Sequence, residues 1–351
     1  METWQQASPI PSAQTEEQSL PDWSAQNCLG PIPDYGTLGP GSDLAMGRHS
    51  SPRLEVLRRG SLAAAIVAAV FASVLVGHAG TARAAWEHLG DLLGAAQPSA
   101  RNGVSAIAST RNVSQLNRLK PQQQAETLLE LAIGDSGAAN QEIAERVDGW
   151  RGKLSLDSQL STLTTAALNS NDLQVRQSGI EVQLAAYGLA KNASTVDFLI
   201  QNAASSGHAQ KIWALWALGA LANRGVESAH AQKALVSHLK DADEDSRAWA
   251  VEGLSLTGTA TAVGPLLDVM HNDPSPAVRE RAACSLAESG MLSHEQRLAA
   301  VPQLVNYTED ASLDSQTHAW AFQALGDITK ARLPNDPAAW RDWYASASGK
   351  K

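Results

Sequence analysis

Apolar positions along the chain recur at helical rather than strand spacing, in a motif stated twice between Asp241 and Gly290. The first copy is Arg247-Ala-Trp-Ala-Val-Glu-Gly-Leu254, closed by Gly258; the second is Arg279-Glu-Arg-Ala-Ala-Cys-Ser-Leu286, closed by Gly290. Each copy has a basic residue, a small residue three positions later, Leu seven later and Gly eleven later. The positions before the anchor and three and seven after it share one helical face, and the small residue lets a second helix approach closely. The terminal Gly reads as a helix stop. Between the copies, Val263, Leu266, Leu267 and Met270 fall at helical spacing, so one helical hairpin fills each repeat.

The same face appears on either side. Upstream, Lys211-Ile-Trp-Ala-Leu-Trp-Ala-Leu218 fits, and Arg176-Gln-Ser-Gly-Ile-Glu-Val fits loosely; downstream, His318-Ala-Trp-Ala-Phe-Gln-Ala-Leu325 fits with His as the anchor. Anchors at residues 176, 211, 247, 279 and 318 lie roughly 32 to 39 residues apart, a spacing suited to a helical array with variable loops. Outer helices are expected at 195–203, 229–239, 260–270 and 295–307, and earlier helices over 121–131, 139–150 and 156–168. Leu128, Leu129 and Leu131 should form the apolar side of the first. Polar turns at Asn169-Ser-Asn-Asp172 and Asn272-Asp-Pro-Ser-Pro276 suit helix stops and caps.

The turn Asp273-Pro-Ser-Pro-Ala-Val-Arg279 with Ala282, Ala283 and Leu286, and Asp243-Glu-Asp-Ser-Arg247 with Ala250 and Leu254, resemble the HEAT-repeat family, in the short phycobilisome-lyase-type form. The resemblance implies an all-α, right-handed α-solenoid of about six hairpins, a HEAT/armadillo-like superhelix with outer and inner helices. It also implies an Asp–Arg ladder between neighbouring repeats, carried over onto Asp172 and Arg176, Asp243 and Arg247, Asp273 and Arg279, and Asp314 and His318. The repeat anchored at Lys211 has Gly207 where the Asp would stand, which puts that rung in question. The resemblance covers residues 155–330 well and 121–150 poorly.

Five regions follow. Residues 1–45 are rich in Pro, Ser, Gln and Gly, without Lys or Arg, and read as disordered or as an over-extended gene model. Residues 46–84 place four arginines before an uncharged stretch, 60–81, and Ala82-Arg83-Ala84 after it, the parts of a signal peptide with a mature chain starting at Ala85. The rival reading keeps 60–81 as an inner-membrane anchor with the repeats outside the cytoplasm. Either way the repeats are exported, to the periplasm or another extracytoplasmic space. A short helix and polar tether (85–120), the solenoid (121–332) and a capping helix with tail (333–351) complete the chain. The cap is expected from Trp340 and Trp343 on a helix opened by Pro337.

Charge narrows the partners. The chain carries a formal charge of −9, and without residues 1–84 it keeps 22 basic and 29 acidic residues, so no nucleic-acid partner is indicated. Cleavage would also remove Cys28 and leave Cys284 as a buried, inert thiol among small residues. Ten tryptophans outnumber three phenylalanines. Trp213, Trp249 and Trp320 each stand two residues after an anchor, at the edge of the buried stripe. Either they seal the seams between repeats, or they offer a row of rings to a peptide or partner helix. Arg281 interrupts that row, framing a binding site or standing in solvent. Glu181 and Glu252 share a register and are expected solvated or paired with Arg, since no base or nucleophile accompanies them. These six residues are the partner-binding candidates. No phosphate loop, nucleophile elbow, paired-Cys motif or metal-ligand spacing is present, so no catalytic residue, metal or cofactor is assigned. The reading is a non-enzymatic interaction or scaffold module of the cell envelope, taking a protein or peptide on the concave face. The alternatives are a lyase-type, enzyme-assisting subunit and a membrane-anchored structural envelope protein.

Overall fold

The computed structural model describes residues 116–348 apart from residue 206, so the expectations for 1–45, 46–84 and most of 85–120 lie outside the described residues. From Pro121 onward, the described chain is a succession of helical hairpins with no strand among the described residues. The first two hairpins are α1 (Pro121–Ile133) with α2 (Gly137–Trp150), and α3 (Ser158–Leu168) with α4 (Leu173–Ala186). Then come α5 (Ala193–Ala203) with α6 (His208–Asn223), α7 (Ser228–His238) with α8 (Glu244–Leu256), and α9 (Val263–Asn272) with α10 (Pro276–Ala287). The sixth pairs a broken first half, α11 (His294–Leu298) and α12 (Val301–Tyr307), with α13 (Ser315–Thr329). A final helix, α14 (Pro337–Ser348), closes the array and buries Trp340 at 1% exposure. The expected all-α solenoid of six hairpins is what forms.

Local chemistry sets the boundaries. Asp157, Asp172, Asn192, Asp243 and Asp314 each cap a helix, accepting from a backbone N–H two or three residues on at 2.7–2.9 Å. Gly258 and Gly290 take φ of +65° and +70°, as the two stop positions require. One expectation fails at 295–307, where two helices replace one; Pro302 opens the second because it supplies no N–H to continue the first. Another fails at Leu131, which is 45% exposed, because the buried stripe of α1 is Ala125, Leu128, Leu129 and Ala132.

The second helices of the hairpins form the inner layer, and α6 is its centre. Every residue from Ile212 to Ala222 is buried, the mark of a helix surrounded on all sides. It meets α8 at backbone distance: a Cβ on Gly219 would stand 2.1 Å from the carbonyl oxygen of Gly253, a contact that only glycine permits.

Arginines tie the turns together in a regular way. Arg247 donates to the carbonyls of Asp241 and Ala242 in its own turn, and its Nε and Nη2 reach Asp273 of the next repeat at 2.8 and 3.1 Å. Arg279 repeats this, holding the Asp273 carbonyl at 2.8 Å and Asp314 at 2.5 Å. These are two rungs of the expected ladder. The rung from the Lys211 repeat lands on Asp241 at 3.4 Å, while Asp243 serves as a cap. His318 keeps only the turn contact, to the Asp310 carbonyl at 2.9 Å.

Arg176 departs from the pattern, with consequences for the whole array. It holds the Ser170 carbonyl of its own turn, but Gly207 offers it no next rung. Its Nη1 instead reaches the carbonyls of Glu288 and Gly290, three hairpins on, at 2.7 and 2.6 Å. Farther along α4, Glu181 takes Arg224 at the end of α6 at 2.6 Å. Thus α4 passes over the carboxyl ends of α6 and α10, and the α3–α4 hairpin covers part of the inner layer.

Candidate functional site

The covered region leaves a narrow cleft. Thr165, Leu168 and Asn169 at the end of α3 form one wall with Arg176; Trp216, Trp249, Glu252 and Leu256 form the other, and Gly290–Met291 close it. As arranged it has free room for about one water. The Gly290–Met291 turn is fixed by the Met291 N–H, which donates to the Ser255 carbonyl at 2.9 Å.

Three of the six sequence candidates converge here. Glu252 is 3% exposed and accepts from Arg281 Nη1 at 3.3 Å. The guanidinium of Arg281 stands 5.9 Å from the ring centroid of half-buried Trp249, within cation–π range. Burial pushes the Glu252 carboxyl above its ordinary range, against the pull of Arg281 and Arg176. A buried, perturbed carboxylate in a cleft is a mark of a functional position. No nucleophile or second acid–base group lines the cleft to make a reaction of it.

The other three candidates go elsewhere. Trp213 is 1% exposed and meets Tyr187 edge-on at 5.8 Å; Trp320 is 6% exposed in the core. The row of presented rings therefore does not form: position two after the anchor lies inside wherever a neighbouring repeat packs over it, and only Trp249 keeps an open edge. Glu181 joins a chain of ions in which Lys191 bridges it, at 3.2 Å, to Asp148 at 3.0 Å. Gln177, with its amide oxygen facing Arg224, adds bonds of 2.8 and 3.1 Å. This network staples the first three hairpins. Cys284 is 3% exposed on α10.

A wider groove of about 740 Å³ runs between α7 and α9 at the edge where the hairpins turn. Val236, Leu239, Pro265 and Val269 give it an apolar floor, with Lys240, Asp241 and Asp268 on the rim. It is larger than the cleft, but its buried ions Arg247 and Asp273 already satisfy each other.

Two arginines carry structure that the sequence reading missed. Arg297, 6% exposed, donates to five carbonyls: Leu292, Ser285, Leu286, Glu288 and Ser289, at 2.8–3.1 Å. It closes the carboxyl end of α10, whose last carbonyls have no helical partner. Burial, helped by the nearby Arg176, brings its pKa down to about 10. No residue pattern around it announces this. For Arg176 a signal existed, since the missing Asp at Gly207 left its guanidinium without a neighbour to pair with.

Among the described residues no group of three His, Cys, Asp or Glu is placed to hold a metal ion, and no helix is long and apolar enough to cross a membrane. The proposed anchor at 60–81 lies outside the described residues.

Residues 196–287 match the family model of HEAT repeats. No curated protein matches the chain. Among solved structures, an engineered protein from the Northeast Structural Genomics Consortium is 18% identical, covering 59% of this chain and 96% of its own, with a TM-score of 0.29. A designed armadillo repeat protein is also 18% identical, covering 62% of this chain and 98% of its own, at the same TM-score of 0.29.

Proposed function

We propose that this chain of HEAT repeats is a non-enzymatic interaction scaffold of the cell envelope that takes a protein segment in the groove between α7 and α9. The observation that carries the reading is the groove itself: about 740 Å³, open along the hairpin edge, with an apolar floor inside a charged rim. Stacked repeats present extended surfaces of this kind, and an apolar centre inside a polar rim is the anatomy of a protein contact. The inner face, where the sequence alone placed the partner, is a weaker host because α3 and α4 cover part of it. Arg247 and Asp273 beneath the groove are spent on joining hairpins, which supports a binding role over catalysis. Export is supported by the order of basic segment, apolar segment and Ala-x-Ala at 46–84.

The test is site-specific photo-crosslinking in the native host. A benzophenone side chain at Lys240, on the groove rim, should give a discrete protein adduct; the same group at Glu145, on the exposed side of α2, should give none. Equal labelling from both positions, or none from Lys240, contradicts the reading. Fractionation with intact-mass measurement tests export: a full-length chain in the cytosol would overturn it.

A further inference from the structure

We propose that the groove between α7 and α9 is gated by pH: with the His271 ring protonated, the α9 wall is tied to the next hairpin and holds the partner segment; with the ring neutral, the wall loosens and releases it. This inference rests on the groove reading above and adds its regulation.

Four side chains form a line at the end of α9. Asp268 Oδ1 accepts from Asn272 Nδ2 at 2.8 Å, Asn272 Oδ1 lies 2.7 Å from His271 Nδ1, and His271 Nε2 lies 2.8 Å from Asp310 Oδ2. Asp268 and Asn272 line the groove, whereas Asp310 belongs to the turn between α12 and α13. Both ends of the line are carboxylates, which when ionised only accept. Asp268 therefore sets the Asn272 amide with its oxygen toward the ring, and Asp310 requires a proton on Nε2. Each ring nitrogen faces an acceptor, so only the imidazolium, a donor at both nitrogens, completes the line. Asp310 stays ionised here, because the backbone N–H and hydroxyl of Ser312 donate to its Oδ1 at 2.9 and 2.6 Å.

A neutral ring has one N–H. If Asp310 keeps it, the Nδ1 lone pair faces the Asn272 oxygen, and turning the amide over would set that oxygen against Asp268. If Asn272 takes it, the Nε2 lone pair faces the Asp310 carboxylate. Neither tautomer satisfies both ends, so loss of the proton breaks the tie between the groove wall and the next hairpin. It also removes a positive charge from the carboxyl end of α9, where the helix dipole favours one. The neighbouring groups are already committed. Tyr307 of α12 donates its hydroxyl to the Leu267 carbonyl, and His318 of α13 bonds the Asp310 carbonyl. Arg247 of α8 is held by Asp273, and Arg279 of α10 by Asp314. A wall fixed in place binds at lower entropic cost than a loose one. Occupancy of the groove therefore falls as pH rises through the His271 titration, which the Asn272 and Asp310 hydrogen bonds move upward.

The experiment combines two readouts on the full chain at pH 6 and pH 8.5. Hydrogen–deuterium exchange of the purified protein, corrected for the intrinsic effect of pH on exchange, needs no partner. Amides of residues 269–273 should lose about tenfold protection at pH 8.5, as expected for one charge-assisted bond, while those of α6 stay unchanged. His271→Gln should show no such difference. In host extract, the photo-crosslinked adduct from Lys240 should be several-fold stronger at pH 6 than at pH 8.5 in the native chain, and equal at both in His271→Gln. Equal protection at both pH values in the native chain overturns the gate whatever occupies the groove, as does a difference that survives His271→Gln. An adduct equally strong at both pH values overturns it too. The absence of any adduct alongside a clear exchange difference overturns the groove reading, and the gate with it, since nothing is then held there.

Discussion

Arg297 shows what one buried side chain does for the array. Its guanidinium closes the last carbonyls of α10 and the turn beyond. Arg297→Ala would leave several of them buried without a donor, at about 1–3 kcal/mol for each group not reached by water. Chemical denaturation should therefore show a loss of at least ~3 kcal/mol, and a loss below ~1 kcal/mol would mean that water replaces the side chain. His271 makes a second test. Its Nε2 lies 2.8 Å from Asp310 and its Nδ1 2.7 Å from the Asn272 side-chain oxygen, with the Tyr307 ring tilted against it at 5.0 Å between centroids. The Asn272 and Asp310 hydrogen bonds raise its pKa, with nearby Asp268 adding to the effect. Because the folded value exceeds the unfolded one, its contribution is full below the ordinary histidine range and is lost as pH rises through the folded value. The melting temperature of His271→Gln should fall short of the native protein's at pH 6 and approach it at pH 8.5. A gap that widens with pH would contradict the assignment.

At the scale of elements, the pair α6 and α8 depends on Gly219 and Gly253. Gly219→Ala places a methyl group 2.1 Å from a carbonyl oxygen that has no freedom to move aside, so the two helices must separate. Overpacking of a core costs about 1–3 kcal/mol where side chains can yield; against backbone the loss should exceed ~3 kcal/mol, measurable by thermal or urea unfolding. Wild-type stability in that variant would refute the close approach. Helix identity was legible in the sequence because each hairpin states its own cap, stripe and stop: Asp243 caps α8, Leu254 is buried, and Gly258 ends it. The break at 295–307 has its signal in Pro302, but a proline within an apolar periodic stretch can open a helix or interrupt one, and the local pattern does not choose. Exposure was not legible. Trp213, Trp249 and Trp320 share one register, and only the neighbours that later pack over them decide which ring stays open.

For the whole molecule, local periodicity describes each hairpin and its immediate neighbour, whereas the contact of Arg176 with Glu288 and Gly290 spans three hairpins. Nothing in a repeat of about 35 residues encodes that distance; the clue was an absence, Gly207 where the ladder needed Asp. The contact turns an array expected to offer an open inner face into one that folds over part of it, and creates the cleft at Glu252. That fold-back is the central structural claim, because it decides how much of the inner face stays open. The most direct test places a benzophenone side chain at Asn169, on the α3 wall of the cleft, and maps intramolecular crosslinks in the purified full-length chain by mass spectrometry. The account predicts links from residue 169 to Trp249, Leu256 or Met291 on the opposite wall. Crosslinks confined to the neighbouring hairpins, with none to residues 249–291, would contradict it.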